Sequence, residues 1–299
     1  MSAINIISAE KLARLIGTPR CPALIDVRSA DDFNASPRLI PGSVRRAHDE
    51  ASHWAHEFAG HSAVIICRDG ATLSQGTAAL LRHEGVAAES LEHGFAAWAA
   101  AALPLLSTAR LPQLDRKGRT LWVTRARPKV DRIACPWLIR RFVDPRAVFL
   151  FVAPAEVEGV AERFGAVPFD LEGVFWSHRG PNCTFDLMIE EFGLATEPLK
   201  RLATIVRGAD TDRLEIAPQA AGLLAASLGL SRMYSDDLAQ LEAGMTLYDA
   251  LYRWCRDATE ETHTVHSRAA AASDDAAGRA AAGHNARAGA RRGAPKGVR

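Results

Sequence analysis

One cysteine of the chain stands where a thiol can do chemistry. The β-branched run Val64-Ile65-Ile66 ends on Cys67 and is followed by a polar loop, Arg68-Asp69-Gly70-Ala71. Thr72, Leu73 and Ser74 then lead into a helical pattern, Thr77 to Arg82. Ligands of open α/β sheets bind at the carboxyl ends of strands. Loop amides and a helix N-terminus facing the sulfur would favour a thiolate or a bound anion there. The same cysteine also suits a buried strand end, because free cysteine is among the most buried residue types. Thr72 and Ser74 can donate hydroxyl hydrogen bonds to the sulfur, although Ser74 fits a helix cap better.

A second constellation lies further along. Arg125, Arg127, Lys129, Arg132, Arg140 and Arg141 can line an oxyanion site, since the guanidinium fork donates paired hydrogen bonds. They can equally form a solvated basic face. His178, Cys183 and Asp186 are metal-ligand types close in sequence; Asp210, Asp212, Asp131 and Cys135 add carboxylates and a thiol. Such mixtures hold zinc or iron, but the spacing matches no standard metal motif. No metal and no other cofactor is therefore assigned. Asp186 also suits a helix cap, and Asp210 or Asp212 a cap or a partner of Arg213.

Composition bounds what these residues can serve. A length of 299 residues suggests about two domains, and 48% hydrophobic with 24% charged residues is ordinary for a soluble globular protein. The net charge of +1 disfavours binding of nucleic acid by bulk electrostatics, so no direct nucleic-acid partner is expected. Apolar stretches are too short to span a bilayer, and no membrane association is expected. The amino terminus lacks a signal-peptide pattern. The five cysteines, at 21, 67, 135, 183 and 255, form no CxxC pair and no disulfide framework, which fits a reducing cytoplasm. Cys21 and Cys255 read as structural.

The elements that must position Cys67 alternate between helix and strand. Ser8 caps a helix with Leu12, Leu15 and Ile16 on one face. Ala23 to Arg28 reads as a strand ending in a charged pair, Pro41-Gly42 as a turn, His53 to Phe58 as a brief helix, and Val86 to Leu91 as a strand before a last helix at His93. This order implies an α/β fold over 1–107, a mostly parallel sheet with helices on both faces. Residues 108–120 are polar, basic and proline-interrupted, as a linker is. Over 121–257 the pattern predicts a small sheet against a helical cluster, a mostly helical α+β domain. It includes helices over 131–143, 185–192, 197–210, a buried one over 218–230, and a long final one over 236–255 with a possible break near Gly244. The tail 258–299, rich in alanine, glycine and arginine, is expected to be disordered.

The first segment resembles the rhodanese-like, or sulfurtransferase, family. The resemblance is carried by Asp26-Val27-Arg28, Ile40-Pro41-Gly42-Ser43, the Cys67 loop, and Leu91-Glu92-His93-Gly94-Phe95-Ala96-Ala97-Trp98 followed by Leu103-Pro104, in the family's order and spacing. It implies that Cys67 accepts sulfane sulfur as a persulfide. Many members carry an arginine and then a serine late in the loop, where this chain has Ala71-Thr72-Leu73-Ser74. Leu73 cannot hold a tetrahedral oxyanion bidentately, which argues against phosphatase or arsenate-reductase chemistry.

The second segment resembles the C-terminal domain of the chromate-resistance protein B family. The matching stretches are Trp122 to Pro128, Asp131 to Phe142, Ser177 to Gly180, Cys183 to Asp186, Ile205 to Arg213 and Tyr248 to Tyr252. This implies a role in chromate resistance without implying a reaction. The combined expectation is a cytoplasmic chromate-resistance protein, a sulfurtransferase forming a persulfide on Cys67. Its partners would be a small sulfur donor or oxyanion, such as thiosulfate or chromate, and a protein thiol acceptor. Cys135 and Cys183 could receive that sulfur or reduce chromate. Two alternatives are a non-enzymatic chromate-responsive sensor or regulator and a metal-dependent redox detoxification protein centred on His178, Cys183 and the aspartates.

Overall fold

A computed structural model of the chain describes residues 5–261. The elements in chain order are β1 (Ile6–Ile7), α1 (Ala9–Leu15), β2 (Ala23–Asp26), α2 (Ala30–Ala35), β3 (Arg38–Leu39), β4 (Ser43–Arg45), α3 (Ala51–Trp54), β5 (Ser62–Ile66), α4 (Thr72–His83), β6 (Ala87–Leu91), α5 (Gly94–Ala100) and β7 (Leu106–Ser107). There follow β8 (Leu121–Arg125), α6 (Asp131–Leu138), β9 (Val148–Val152), α7 (Val157–Phe164), β10 (Val167–Pro168), α8 (Thr184–Glu191), α9 (Glu197–Asp210), α10 (Ala220–Met233) and α11 (Asp237–Asp257).

The first sheet has the order β1-β6-β5-β2-β4, with every pair parallel. β5 is central, and its run Ala63-Val64-Ile65-Ile66 is apolar because both faces of the sheet are covered. Ala63 and Ile65 pack with Trp54, Ala78 and Leu81, beneath α3 and α4. Val64 and Ile66 pack on the opposite face with Leu12 of α1 and with Phe95 and Trp98 of α5.

That second face continues without a break into the carboxyl-terminal segment, whose Trp137, Phe142, Tyr248 and Tyr252 belong to the same core. Gly42 N–H donates to the Phe142 carbonyl at 2.6 Å, and Ser107 N–H to that of Phe192 at 3.0 Å. Residues 5–257 consequently form one compact unit.

The second sheet, β10-β8-β9, is also parallel. α7 covers one face through Val157 against Val123. On the other face Trp122 meets Phe169 and Trp176 edge-on, in front of the cluster of α6, α8, α9 and α11.

Three expectations need correction. Residues 131–143 are not one regular helix: α6 ends at Leu138 and Ile139–Val143 widen into a π turn, next to Pro136, which has no N–H to give the helix. α10 begins and ends later than expected and is not a buried helix. It buries only Ala220, Leu223, Ser227 and Ser231, while Leu228 and Met233 are exposed. Its alanines and leucines run all round the helix, so sequence hydrophobicity does not reveal which stripe is covered. α11 is unbroken at Gly244, where the missing side chain admits Ile133 instead; a Cβ there would lie 2.5 Å from Ile133 Cγ2. The tail expected to be disordered lies, from residue 262 onward, outside the described residues. Among the described residues no helix is long and apolar enough to cross a membrane.

Candidate functional site

Cys67 follows the last residue of β5, and two backbone clamps fix it. Its carbonyl accepts the Phe95 N–H at 2.9 Å, and the Arg68 carbonyl accepts that of Ala96 at 2.9 Å. The start of α5 thus holds the end of β5. Gly70 and Gly94 lie where these backbones meet, both with positive φ (73° and 59°). A Cβ on Gly94 would stand 2.4 Å from the Cys67 carbonyl oxygen, and one on Gly70 would stand 2.5 Å from that of Leu91.

The sulfur faces the first turn of α4. Sγ lies 3.2 Å from Ser74 Oγ and 3.3 Å from Asp69 Oδ1. Ser74 is not the helix cap that its sequence position suggests. Ala71 occupies the cap and offers no side-chain acceptor, while Ser74 is buried inside the first turn and donates to the Ala71 carbonyl at 3.3 Å. No hydrogen bond among the described residues uses the amides of Gly70, Thr72, Leu73 or Ser74. These amides and the α4 N-terminus leave a concentration of donors beside the sulfur. Asp69 folds back on the loop. The Ala71 N–H and then the Cys67 thiol hold its carboxyl below the usual range. Thr72 is exposed with no bond to the sulfur, Leu73 packs under the sheet, and the Arg68 guanidinium turns to Asp32 at 3.4 Å.

A buried ion pair supports this end of the sheet. Arg28 and Asp26, with side chains 0% and 1% exposed, meet at 2.6 Å. The guanidinium also donates to the carbonyls of Ser36 and Arg38 and lies 3.7 Å above the Phe95 ring. In the sequence Asp26-Val27-Arg28 stands out only as a family motif, with no local sign of this structural use.

The second constellation is rearranged by the fold. The arginines expected to line an oxyanion site are taken up by other partners. Arg125 and Arg132 approach Asp170 at 3.5 and 3.2 Å, Arg140 pairs with Glu242, and Arg141 with Asp249 at 2.8 Å. Arg127 binds the carbonyls of Ser231 and Tyr234. Lys129 is exposed.

Of the metal-ligand types, only some converge. His178 Nε2 lies 3.2 Å from Asp210 Oδ2, 3.4 Å from Asp170 Oδ1 and 3.7 Å from Asp131 Oδ2. Hydrogen bonding to Asp170 and then Asp210 pushes His178 up to about 10. Burial, then Asp210 and Asp170, push the Asp131 carboxyl well up. Asp131 also caps α8, accepting from Thr184 N–H at 2.7 Å and Phe185 N–H at 3.1 Å. Asp186 stands apart: it accepts from Cys183 N–H at 3.0 Å and from Arg207 at 2.8 Å, which bears out the capping reading. Asp212 occupies an exposed turn at φ 55°, and Arg213 pairs with Glu215. Cys135 and Cys183 are both fully buried, and burial first, then Asp131, pushes both thiols well up. Neither is placed to meet an incoming persulfide. Asp170 was missed by sequence reading. Its signal was its place just past Phe169, in the loop at the carboxyl end of the parallel strand β10.

Comparison with known proteins finds two families along the chain. Residues 8–101 match the rhodanese-like domain family, and residues 122–255 match the family described as ChrB, C-terminal domain. Protein ChrB of Cupriavidus metallidurans is 36% identical over 133 residues, which cover 44% of this chain and 39% of that protein. The match therefore spans about two fifths of that relative's length. A rhodanese-related protein from Thermoplasma volcanium is 19% identical, covering 34% of this chain and 98% of its own, with a TM-score of 0.30. A thiosulfate sulfurtransferase from Pseudomonas aeruginosa is 22% identical, covering 36% of this chain and 20% of its own, with a TM-score of 0.30.

Proposed function

We propose that this chain, a rhodanese-like domain followed by a ChrB C-terminal domain, is a sulfur carrier that acts in chromate resistance through a persulfide on Cys67. The observation that supports the reading most is the position of Cys67 at the end of the central strand, with its sulfur against the uncapped first turn of α4. In the proposed step the Cys67 thiolate attacks the outer sulfur of a donor such as thiosulfate. A sulfur–sulfur bond forms at Cys67 while the donor's own sulfur–sulfur bond breaks, and sulfite leaves with the electron pair. The product is an anion, Cys–S–S⁻. The free amides of the loop and of the first turn of α4 stabilise it without reorganisation, and the Ser74 hydroxyl can turn from the Ala71 carbonyl to donate to sulfur. Cys67 is only 2% exposed. The added atom extends its reach by ~2 Å, towards an acceptor thiol on another molecule.

The chromate link is tested in a chromate-sensitive bacterial host. Expression of the wild-type chain is expected to raise the tolerated chromate concentration. Cys67→Ser, expressed to the same level, is expected to return it to that of the empty vector. Full resistance with Cys67→Ser would separate chromate resistance from sulfur carriage.

A further inference from the structure

We propose that Asp131, Asp170 and His178, with Asp210 beside them, form a binding site for one divalent cation of the manganese class. The site stands apart from Cys67 and does not depend on the sulfur-carrier reading.

The argument begins with a mismatch between donors and acceptors. Three carboxylate oxygens surround one imidazole nitrogen at 3.2, 3.4 and 3.7 Å. That nitrogen carries at most one N–H, which cannot serve three acceptors. Charge-assisted N–H···O bonds run at ~2.7–2.9 Å, shorter than any of these separations. A cation held at ~2.1 Å from each ligand spaces neighbouring ligands ~3.0–3.4 Å apart. The separations of 3.2 and 3.4 Å fall in that range and the third, 3.7 Å, lies just beyond it; a shared ion accounts for three converging carboxylates, which a single N–H cannot. Donor atoms of Asp131, Asp170 and His178 all lie within 4.8 Å of one another.

The carboxylates are also aimed. Asp210 Oδ1 accepts the Asp131 N–H at 3.3 Å, which turns Oδ2 towards His178. Arg132 holds Asp170 Oδ2 at 3.2 Å, which leaves Oδ1 facing His178 and the Thr184 hydroxyl. Asp131 is fixed by the two amides that open α8. Outer partners of this kind orient metal ligands. The four residues come from four separate places: the start of α6, the loop after β10, the loop before α8, and the end of α9. Nothing in helix capping requires a histidine and two further carboxylates to meet there.

Ligand type selects the ion. The set is oxygen-rich with one imidazole; Cys135 Sγ, 3.8 Å from Asp131 Oδ1, is not among the atoms that converge on His178. Carboxylates with imidazole suit Mn²⁺ rather than a soft ion. Asp131 is completely buried whereas His178 is 41% exposed, so the ion would enter past the histidine and retain water on that side.

The test uses the full chain, stripped with chelator and titrated with Mn²⁺. Free aqueous Mn²⁺ has a sharp paramagnetic resonance signal that disappears on binding. The expected result is one site per chain, with affinity reduced by ~100-fold in His178→Ala and in Asp170→Asn. His178 lies in an exposed loop, so circular dichroism of His178→Ala should match wild type; this separates ligand loss from unfolding. Absence of a stoichiometric site in wild type, or undiminished affinity in folded His178→Ala, would overturn the proposal. Stoichiometric Zn²⁺ binding with no Mn²⁺ binding would overturn the assignment of ion class.

Discussion

Asp26→Ala is expected to destabilise the chain by about 3–5 kcal/mol, measured as a fall in the urea midpoint. The change removes the one carboxylate that, among the described residues, pairs with the completely buried Arg28 side chain. An unpaired guanidinium in the sheet cannot recover its hydration, and breaking one side of a buried pair costs about that much. The two carbonyls that Arg28 also contacts, those of Ser36 and Arg38, offset only part of the loss. Asp26 stands beside Ile66 in the register of β2 against β5, one residue from Cys67. The same variant should therefore load sulfur poorly even below its unfolding transition. Removing both charges, as Asp26→Leu with Arg28→Met, is expected to restore most of the stability, since a well-packed apolar pair replaces a buried ion pair at little cost. A single-variant loss below ~1 kcal/mol, the value of an exposed pair, would contradict this reading.

Gly94→Ala is the second large effect. The new methyl would lie 2.4 Å from the Cys67 carbonyl oxygen and 2.5 Å from the Gly70 nitrogen, both backbone atoms with no rotamer to yield. Overpacking costs about 1–3 kcal/mol and the left-handed φ adds about 1 kcal/mol, so a total loss of about 2–4 kcal/mol is expected. Relief comes from displacing the end of β5 or the start of α5, which are bonded to each other at Cys67 and Arg68. A displacement of ~1 Å at a reacting atom costs of the order of 100-fold in rate, and sulfur loading should slow accordingly. Gly85→Ala is the control: φ there is +82°, and a Cβ would meet nothing within 4 Å. It isolates the conformational cost, and its loading rate should match wild type. Equal behaviour of the two variants would show that the contact with Cys67 is immaterial.

The parts of the fold that could be read from sequence were those with local signals. β5 shows its burial as an uninterrupted apolar run, and the alternation of strands with helices gives a parallel sheet. The capped start of α1 is confirmed by the Ser8 side chain accepting from Lys11 N–H. Pairing between distant elements had no such signal. Arg140 meets Glu242 across 102 residues and Arg141 meets Asp249 across 108, so a basic segment that looked open to anions is neutralised by a helix far along the chain. The same holds for the cluster at His178. Its sequence neighbours Cys183 and Asp186 turn into the cap of α8, while Asp170 and Asp210 arrive from the loop after β10 and from α9. Ser74 was misjudged for a smaller reason: the loop is tighter than expected, and the helix starts at Thr72, which places Ser74 inside the turn and against the sulfur.

The central claim is sulfur carriage by Cys67, and intact-protein mass tests it most directly. The full chain is incubated with thiosulfate, and separately with a low-molecular-weight persulfide, alongside Cys67→Ser. The account predicts a gain of one sulfur atom in wild type, reversed by a thiol reductant, and no gain in Cys67→Ser. An unchanged wild-type mass with both donors, or an equal gain in Cys67→Ser, would contradict it.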